Sequence, residues 1–208
     1  TGKGMTSKFL AEKLNYHYLD TGAMYRGVTL YLDQRGIKPE DATEFDLATI
    51  TLEFDSKGHL LLNSQDSEHL IRTEKISKLT PSYAKERLIR FFVNKELNEI
   101  VAQKGNIAEG RDIASHVMPN AEIKLFLTGS SEIRAKRRQE QLKLKGILEN
   151  VEEVRLDLEA RDHVDMTRDE APLKKHVEAT EIDTSHLTLD EQNEFVLNLI
   201  LKYLEKED

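Results

Sequence analysis

The first residues that could do chemistry are Gly2 and Lys3, which stand directly before a helical pattern. A loop of the type G-x-x-x-x-G-K-[ST] holds phosphate groups with backbone N–H groups at a helix N-terminus, and its lysine reaches the β and γ oxygens. The sequence contains the tail of such a loop, so the preceding strand and the first glycine would have to lie before Thr1. The alternative is a solvated lysine at a helix start.

Two further groups of charged residues follow predicted strands. Asp20 and Arg26 flank a strand-to-helix turn in the segment Leu-Asp-Thr-Gly-Ala-Met-Tyr-Arg at 19–26, and Arg111 lies in Glu-Gly-Arg-Asp at 109–112. The planar fork of arginine matches phosphate oxygens, and ligands in open α/β sheets gather at the carboxyl ends of strands. These segments therefore suit a phosphate acceptor. A helix cap with a surface arginine, and a turn closed by a local Arg-Asp pair, are the alternatives.

One face of the helix predicted from about Val151 changes character along its length. Steps of three and four residues lead from Val151, Val154 and Leu158 to Arg161, Asp165 and Arg168. Because isolated ions are costly to bury, the polar end should face a wet cleft. Emergence of the helix into solvent is the alternative.

A basic cluster occupies the helix before it, with members Arg134, Lys136, Arg137 and Arg138. Phosphoryl transfer depends almost entirely on positioning and on electrostatic stabilisation of developing charge, which such a cluster suits. The alternative is a solvated, charged helix face.

The elements that position these residues follow from periodicity. Helical patterns are predicted at 5–14, from Thr21, around 89–100, after Gly129, at 151–167 and from Thr188; strands are predicted at 16–20, 106–108, 123–127 and 180–183. Strands that alternate with helices predict a parallel sheet covered on both faces, and the apolar run 123–127 predicts a strand buried on both faces. Residues 51–54 and 59–63, separated by a glycine-containing turn, predict an inserted antiparallel hairpin.

Composition narrows the class of protein. The 208 residues suit one domain, and the net charge of −8 argues against broad attraction to nucleic acid. With 38% hydrophobic and 33% charged residues, no membrane span is expected. The absence of cysteine excludes disulfides and thiolate metal sites, and the histidines lack a paired zinc spacing. No signal-peptide pattern opens the chain, so a cytoplasmic location is expected.

Taken in order, these segments resemble bacterial cytidylate kinases over essentially the whole chain. The matching segments are Gly2-Lys3-Gly4, 19–26, Ile71-Arg72-Thr73, 110–113, 119–128, Arg137-Arg138, Arg161-Asp162, Thr167-Arg168, 171–173 and 183–185. The resemblance implies one α/β domain with a P-loop NTPase-type parallel β-sheet sandwiched by helices, an inserted antiparallel subdomain that binds the nucleoside monophosphate, and a helical lid. The implied core is 1–40, 83–128 and 168–208, the insert about 41–82, and the lid about 129–167.

The resemblance also implies an activity, transfer of the γ-phosphate of ATP to CMP or dCMP, by a monomer that needs no nucleic acid or membrane. The implied ATP-binding residues are Gly2, Lys3 and Gly4. The implied substrate-binding residues are Arg26, Arg111, Arg161 and Arg168 for the phosphate, Asp165 for the ribose, and Arg90 and Asp112 for the cytosine edge. The implied catalytic residues are Lys3, Asp20, Arg137 and Arg138. Mg²⁺ would be held by the ATP phosphates with no direct protein ligand, and Asp20 would help to hold its water shell.

The sequence departs from the family pattern in three places. Met5 stands where a threonine or serine is usual, and a thioether cannot replace a hydroxyl as a ligand of a hard metal. Thr80 and Ser82 flank Pro81, so the usual base-reading hydroxyl has no unambiguous counterpart, and Glu109 replaces the commoner aspartate. The alternative functions are therefore a nucleotide-binding protein with impaired catalysis and a kinase of another monophosphate such as UMP.

Overall fold

The computed structural model describes residues 1–144, 146–167 and 172–205, and it assigns helices and strands in alternation. The helices are α1 (Lys3–Leu14), α2 (Thr21–Gln34), α3 (Glu44–Ala48), α4 (Glu68–Ile71), α5 (Glu74–Ala84), α6 (Arg87–Val101), α7 (Ser131–Leu144), α8 (Val151–Thr167) and α9 (Leu189–Leu204). The strands are β1 (His17–Asp20), β2 (Leu52–Phe54), β3 (Leu60–Leu62), β4 (Gln65–Asp66), β5 (Asn106–Glu109), β6 (Leu125–Thr128) and β7 (Thr180–Asp183). A 3₁₀ turn (Pro39–Asp41) and a π-helical turn (Ile113–Val117) complete the elements.

The chain divides into two compact units. The central unit is Leu10–Pro119, and the terminal unit comprises Thr1–Phe9 with Asn120–Asp208. The predicted division into core, insert and lid stays a prediction.

In the central unit, β1 and β5 pair in parallel, with Asp20 opposite Glu109 at their carboxyl ends. The apolar face of α2 packs into a core with α5 and α6 that includes the fully buried Met24, Val28 and Ile89. The helix α2 begins at Thr21 because the Asp20 side chain accepts a hydrogen bond from the Ala23 N–H at 3.1 Å. Asp20 is thus both the last residue of β1 and the N-cap of α2.

The predicted hairpin is present as β2 and β3, which pair antiparallel. The sequence did not predict β4, a two-residue strand that pairs with β3 and completes a three-stranded sheet. This sheet packs against α2 at Gly27, where a β-carbon would lie 2.6 Å from Leu60 Cδ2. Only glycine allows so close an approach between the helix and the sheet.

In the terminal unit, β6 and β7 form a second parallel pair. The prediction that the strand at 123–127 is buried on both faces is wrong, because every residue of β6 is only partly buried. In the described part of the chain β6 pairs with one strand, so it has an open edge. The helix α9 has Thr188 as its N-cap, in a capping box in which the side chains of Thr188 and Glu191 bond reciprocally to backbone N–H groups.

The mixed α/β class with parallel strands and an antiparallel insert is therefore confirmed. The parallel strands of the described residues pair two by two rather than in one continuous sheet. None of the helices in the ranges described is long and apolar enough to cross a membrane.

Candidate functional site

The carboxyl end of β1 carries a cluster of charged side chains, which we call the Asp20 cluster: Asp20, Arg26, Arg72 and Glu68. Arg72 Nη2 lies 2.8 Å from Asp20 Oδ2, and Arg72 Nε donates to Glu68 Oε1 at 2.8 Å. Arg26 Nη1 lies 3.7 Å from the same Asp20 oxygen, which is beyond hydrogen-bond distance. Arg72 therefore holds Asp20 more closely than Arg26 does.

The Arg26 guanidinium is not fully satisfied in this cluster. Its Nη1 atom is buried and has no hydrogen-bond partner among the described residues. Burial lowers the pKa of Arg26 from its ordinary value, and the nearby charge of Asp20 opposes that shift. A buried guanidinium nitrogen without an acceptor is costly, and an anionic ligand would remove that cost.

A second pair of predicted site residues, Arg90 and Asp112, forms a buried ion pair between Arg90 Nη2 and Asp112 Oδ2. Arg90 on α6 also donates to the Ala84 carbonyl at 3.2 Å, and its guanidinium lies 5.6 Å from the centre of the Tyr25 ring. The structure thus brings together the two residues that the sequence assigns to one base. The hydroxyls of Thr80 and Ser82 each donate to a backbone carbonyl of their own helix at 2.7 Å, so both are already hydrogen-bonded within α5.

Glu109 and Gly110 fix the turn that carries Arg111. The Tyr18 hydroxyl donates to Glu109 Oε1 at 3.3 Å, and the Thr21 hydroxyl donates to the Glu109 carbonyl at 2.9 Å. Burial, together with the charge of Glu109, raises the pKa of Tyr18. A β-carbon on Gly110 would lie 2.6 Å from Thr21 Oγ1, so glycine is required here. Arg111 follows directly and is partly buried.

In the terminal unit, the predicted phosphate loop leads into α1. Gly2 has a φ of +73°, a conformation that favours glycine, and Lys3 is the first residue of the helix. The first turn of α1 has no acidic residue, so its N-terminal N–H groups and Lys3 give an electropositive end. Gly4 follows within the same turn.

Residues of α9 hold this loop. Gln192 Nε2 donates to the Thr1 carbonyl at 3.0 Å and to Thr6 Oγ1 at 2.8 Å, and the Thr6 hydroxyl donates to Asn193 Oδ1 at 2.8 Å. Gln192 is fully buried. Thr1 before Lys3 and Thr6 after it are therefore both bonded to one buried side chain.

The four side chains of the predicted basic cluster lie in three different environments. Arg137 on α7 donates to the Thr184 carbonyl at 2.7 Å, to Thr184 Oγ1 at 3.3 Å and to the Leu187 carbonyl. Arg134 pairs with Asp162 of α8. Arg138 and Lys136 are exposed on the surface of the helix.

Burial along α8 changes with residue type among the described residues, whereas the predicted wet cleft at its polar end stays a prediction. Val154 is buried in a small core with Ala135 and Leu142 of α7, and Leu158 packs against it. One turn further, Arg161 is exposed and Asp165 partly buried, with the Asp165 carbonyl accepting from the Leu173 N–H at 2.7 Å. Arg168 lies outside the described residues.

Arg72, Glu68 and Gln192 are site-forming residues that the sequence did not single out. Arg72 lies in the Ile71-Arg72-Thr73 segment that carries the family resemblance, and this segment was the available signal. Glu68 had the i,i+4 spacing of a helical ion pair. Gln192 had no signal, because a glutamine on the inner face of a helix has no pattern of its own.

A glycine-containing loop at a helix N-terminus is typical of α/β proteins that bind phosphorylated ligands, and so are partly buried arginines that follow the carboxyl ends of parallel strands. The family model described as cytidylate kinase matches residues 1–205. A protein named cytidylate kinase from Thermosipho melanesiensis is 40% identical over 200 residues, which cover 96% of this chain and 92% of the relative.

Two further relatives agree with that match. A cytidylate kinase from Fervidobacterium nodosum is 40% identical, with 96% of this chain and 91% of the relative covered. A cytidylate kinase from Fusobacterium nucleatum is 38% identical, with 99% of this chain and 93% of the relative covered. The chain belongs to the cytidylate kinase family.

ATP-using kinases of this kind generally need a divalent cation, so we ask which atoms of this chain could bind one. The thioether of Met5 lies 3.5 Å from Gln141 Nε2 and is not a ligand for a hard cation. The structure contains no group of three or more His, Asp or Glu that could hold a metal ion in the ranges it describes. Asp20, at the carboxyl end of β1, offers carboxylate oxygens, the type of donor that Mg²⁺ prefers.

Proposed function

We propose that this protein transfers the γ-phosphate of ATP to CMP or dCMP and produces ADP with CDP or dCDP. The observation that carries the proposal is the buried Arg26 nitrogen without a hydrogen-bond partner, at the carboxyl end of β1. Membership of the cytidylate kinase family supports the choice of reaction. An acceptor phosphate placed there would satisfy Arg26 by a charge-assisted hydrogen bond.

The acceptor-binding residues that we propose are those that the family resemblance implies. Arg26, Arg111 and Arg168 would bind the CMP phosphate, with Arg161 near them, and Asp165 would accept hydrogen bonds from the ribose hydroxyls. Arg90 and Asp112 would read the cytosine edge, because a carboxylate accepts from the amino group that cytosine has and uracil lacks. Their mutual ion pair holds both side chains in one orientation before the base arrives.

On the donor side, Gly2, Lys3 and Gly4 would bind the ATP phosphates through backbone N–H groups and the lysine charge. Mg²⁺ would neutralise charge on the transferred group, and Asp20 would orient water around it. In the transfer, an oxygen of the CMP phosphate forms a bond to the γ-phosphorus while the bond from that phosphorus to the ADP oxygen breaks.

Arg137 and Arg138 would stabilise the charge that develops on the transferred group. Arg137 is at present bonded to the backbone of Thr184 and Leu187, so this role requires it to exchange carbonyl oxygens for phosphate oxygens. We also propose that residues 129–167 act as a lid that excludes water during transfer, that residues 41–82 form the monophosphate-binding insert, and that the enzyme is a cytoplasmic monomer.

The test is a coupled assay of ADP release by the full-length protein with CMP, dCMP and UMP as acceptors. We expect turnover with CMP and dCMP that exceeds turnover with UMP. Arg26→Ala should lower kcat/KM for CMP by about 10²-fold or more, as expected for loss of a charged contact to the reacting phosphate. Arg87→Ala, which removes an exposed arginine from α6, is the matched control and should leave kcat/KM unchanged.

Lys3→Ala and Lys8→Ala form a second matched pair on α1. Lys3→Ala should abolish most turnover, whereas Lys8→Ala changes an exposed lysine of the same helix and should not. Absence of ADP release above background with CMP would refute the proposed reaction. Equal activity of the two lysine variants would refute the role of Lys3.

A further inference from the structure

Arg72 raises a question that the proposed reaction does not answer. It lies at the end of the short helix α4, 52 positions from Asp20 in the sequence, yet it makes the closest contact to the Asp20 carboxylate in the Asp20 cluster. The site residues expected from the sequence do not include it, and its Nε and Nη2 atoms both contact carboxylates. Arg72 is therefore not placed to bind a phosphate with those nitrogens.

Competition between two arginines for one carboxylate explains the arrangement. Asp20 Oδ1 caps α2, and Asp20 Oδ2 is the oxygen that both Arg72 and Arg26 approach. Since Arg72 is at 2.8 Å and Arg26 at 3.7 Å, the carboxylate is committed to Arg72. The Arg26 Nη1 atom consequently stays without an acceptor among the described residues.

The pKa shift of Arg72 is consistent with the preference of Asp20 for Arg72 over Arg26. Burial acts against the charge of Arg72, but the carboxylates of Asp20 and Glu68 outweigh it and raise the pKa of Arg72. Glu68 holds the Arg72 Nε atom and so fixes the plane of the guanidinium that faces Asp20. If Arg72 were absent, the carboxylate of Asp20 would be left with Arg26 as its nearest cation in the cluster.

We propose that Arg72 is a positioning residue: it occupies the Asp20 carboxylate and thereby keeps the Arg26 guanidinium available for the phosphate of the acceptor nucleotide. The proposal rests on the proposed function for the identity of that phosphate. Loss of Arg72 lets Arg26 close onto Asp20, and a guanidinium paired with an internal carboxylate binds an external anion less well. Arg72 acts through Asp20 and Arg26 and does not itself contact the ligand.

The test uses calorimetry with CMP and with cytidine, in the absence of ATP, on the full-length protein. Cytidine has the base and the ribose but no phosphate. Arg72→Met should weaken CMP binding by about tenfold and leave cytidine binding unchanged, because only the phosphate contact is affected. Arg72→Lys should restore most of the affinity, since it keeps a cation near Asp20. Arg87→Ala is again the matched control.

A second-site variant separates competition from a general loss of structure. Asn can still cap α2, so Asp20→Asn combined with Arg72→Met removes the competing charge while it keeps the cap. This double variant should bind CMP more tightly than Arg72→Met alone. A merely structural role for Arg72 predicts the opposite, because two changes in one cluster would add to the damage.

A crystal structure of Arg72→Met provides a readout that does not depend on any substrate. We expect the Arg26 to Asp20 distance to shorten from 3.7 Å to a hydrogen bond of about 2.9 Å. An unchanged distance, or a CMP affinity equal to that of Arg87→Ala, would overturn the proposal. Wild-type protein that binds CMP no better than cytidine would instead refute the phosphate-site assignment, and the crystal structure would still decide whether Arg72 positions Arg26.

Discussion

Replacing Arg90 by methionine tests how much the buried Arg90–Asp112 pair contributes to stability. The two side chains are 7% and 9% exposed, so removal of the arginine leaves the Asp112 carboxylate in a poorly solvated position without its cation. Breaking a buried ion pair from one side costs about 3–5 kcal/mol. Because methionine keeps the apolar stem that packs inside the central unit, we expect the lower end, about 3 kcal/mol.

The assay is urea unfolding followed by circular dichroism, with the slope of the transition checked for constancy. For a chain of this length, a loss of about 3 kcal/mol corresponds to a fall in melting temperature of about 6–12 °C. Arg87→Ala on the same helix removes an exposed arginine and should stay within about 0.5 kcal/mol of wild type. A third variant, Arg155→Ala, breaks surface ion pairs to Glu152 and Glu159, whose side chains are 60% and 38% exposed, and it should unfold close to the wild-type urea midpoint.

The double variant Arg90→Met with Asp112→Leu completes the cycle. Replacement of both charges by apolar groups also removes the buried carboxylate that has lost Arg90, so the double variant should be more stable than Arg90→Met alone. If Arg90→Met unfolds at the same urea concentration as Arg87→Ala, the buried pair does not stabilise the fold and our reasoning about its desolvation is refuted.

Three further predictions concern single positions. Asp112→Asn should lower the ratio of kcat/KM for CMP to that for UMP by about tenfold, because an amide can donate to the uracil oxygen; an unchanged ratio in the ADP-release assay would contradict the base-reading role. Gly110→Ala should destabilise the protein by about 1–3 kcal/mol in urea unfolding, since its β-carbon would lie 2.6 Å from Thr21 Oγ1, and a neutral effect would mean that the turn relaxes freely. Hydrogen bonds from the Thr188 backbone and hydroxyl lower the pKa of Glu191 below its ordinary value of 4.5, so this carboxylate contributes stability above that pH and loses it as the pH falls through the lowered pKa. Thr188→Ala removes the hydroxyl and keeps the backbone N–H, so it should raise the pKa of Glu191 part of the way toward 4.5 in a carbon-detected NMR titration; an unmoved titration would exclude the hydroxyl bond as a cause.

Much of the secondary structure was predictable because its signals are local. The capping box at Thr188 and the helical period from Val151 each lie within a few residues, and the structure starts α9 and α8 at those positions. The strand-to-helix turn at Asp20 also follows from one short segment. The two-residue strand β4 had no such signal, because it is defined by its pairing with β3.

The candidate site was likewise predictable only in part. The ordered segments along the chain, which include Arg26, Arg111 and Asp112, predicted the family, and the comparisons confirm it. The phosphate-binding roles of these residues stay predictions. The sequence could not show that Arg72 would take the carboxylate of Asp20, or that Arg137 would bond to the backbone of Thr184.

The sequence by itself thus determined which residues are available and which elements carry them, since propensity, capping and turn chemistry act over a few neighbouring residues. Only the tertiary structure decided which charges meet. Arg72 and Asp20, or Arg137 and Thr184, are about 50 positions apart, and their contact depends on how whole elements pack rather than on any spacing along the chain.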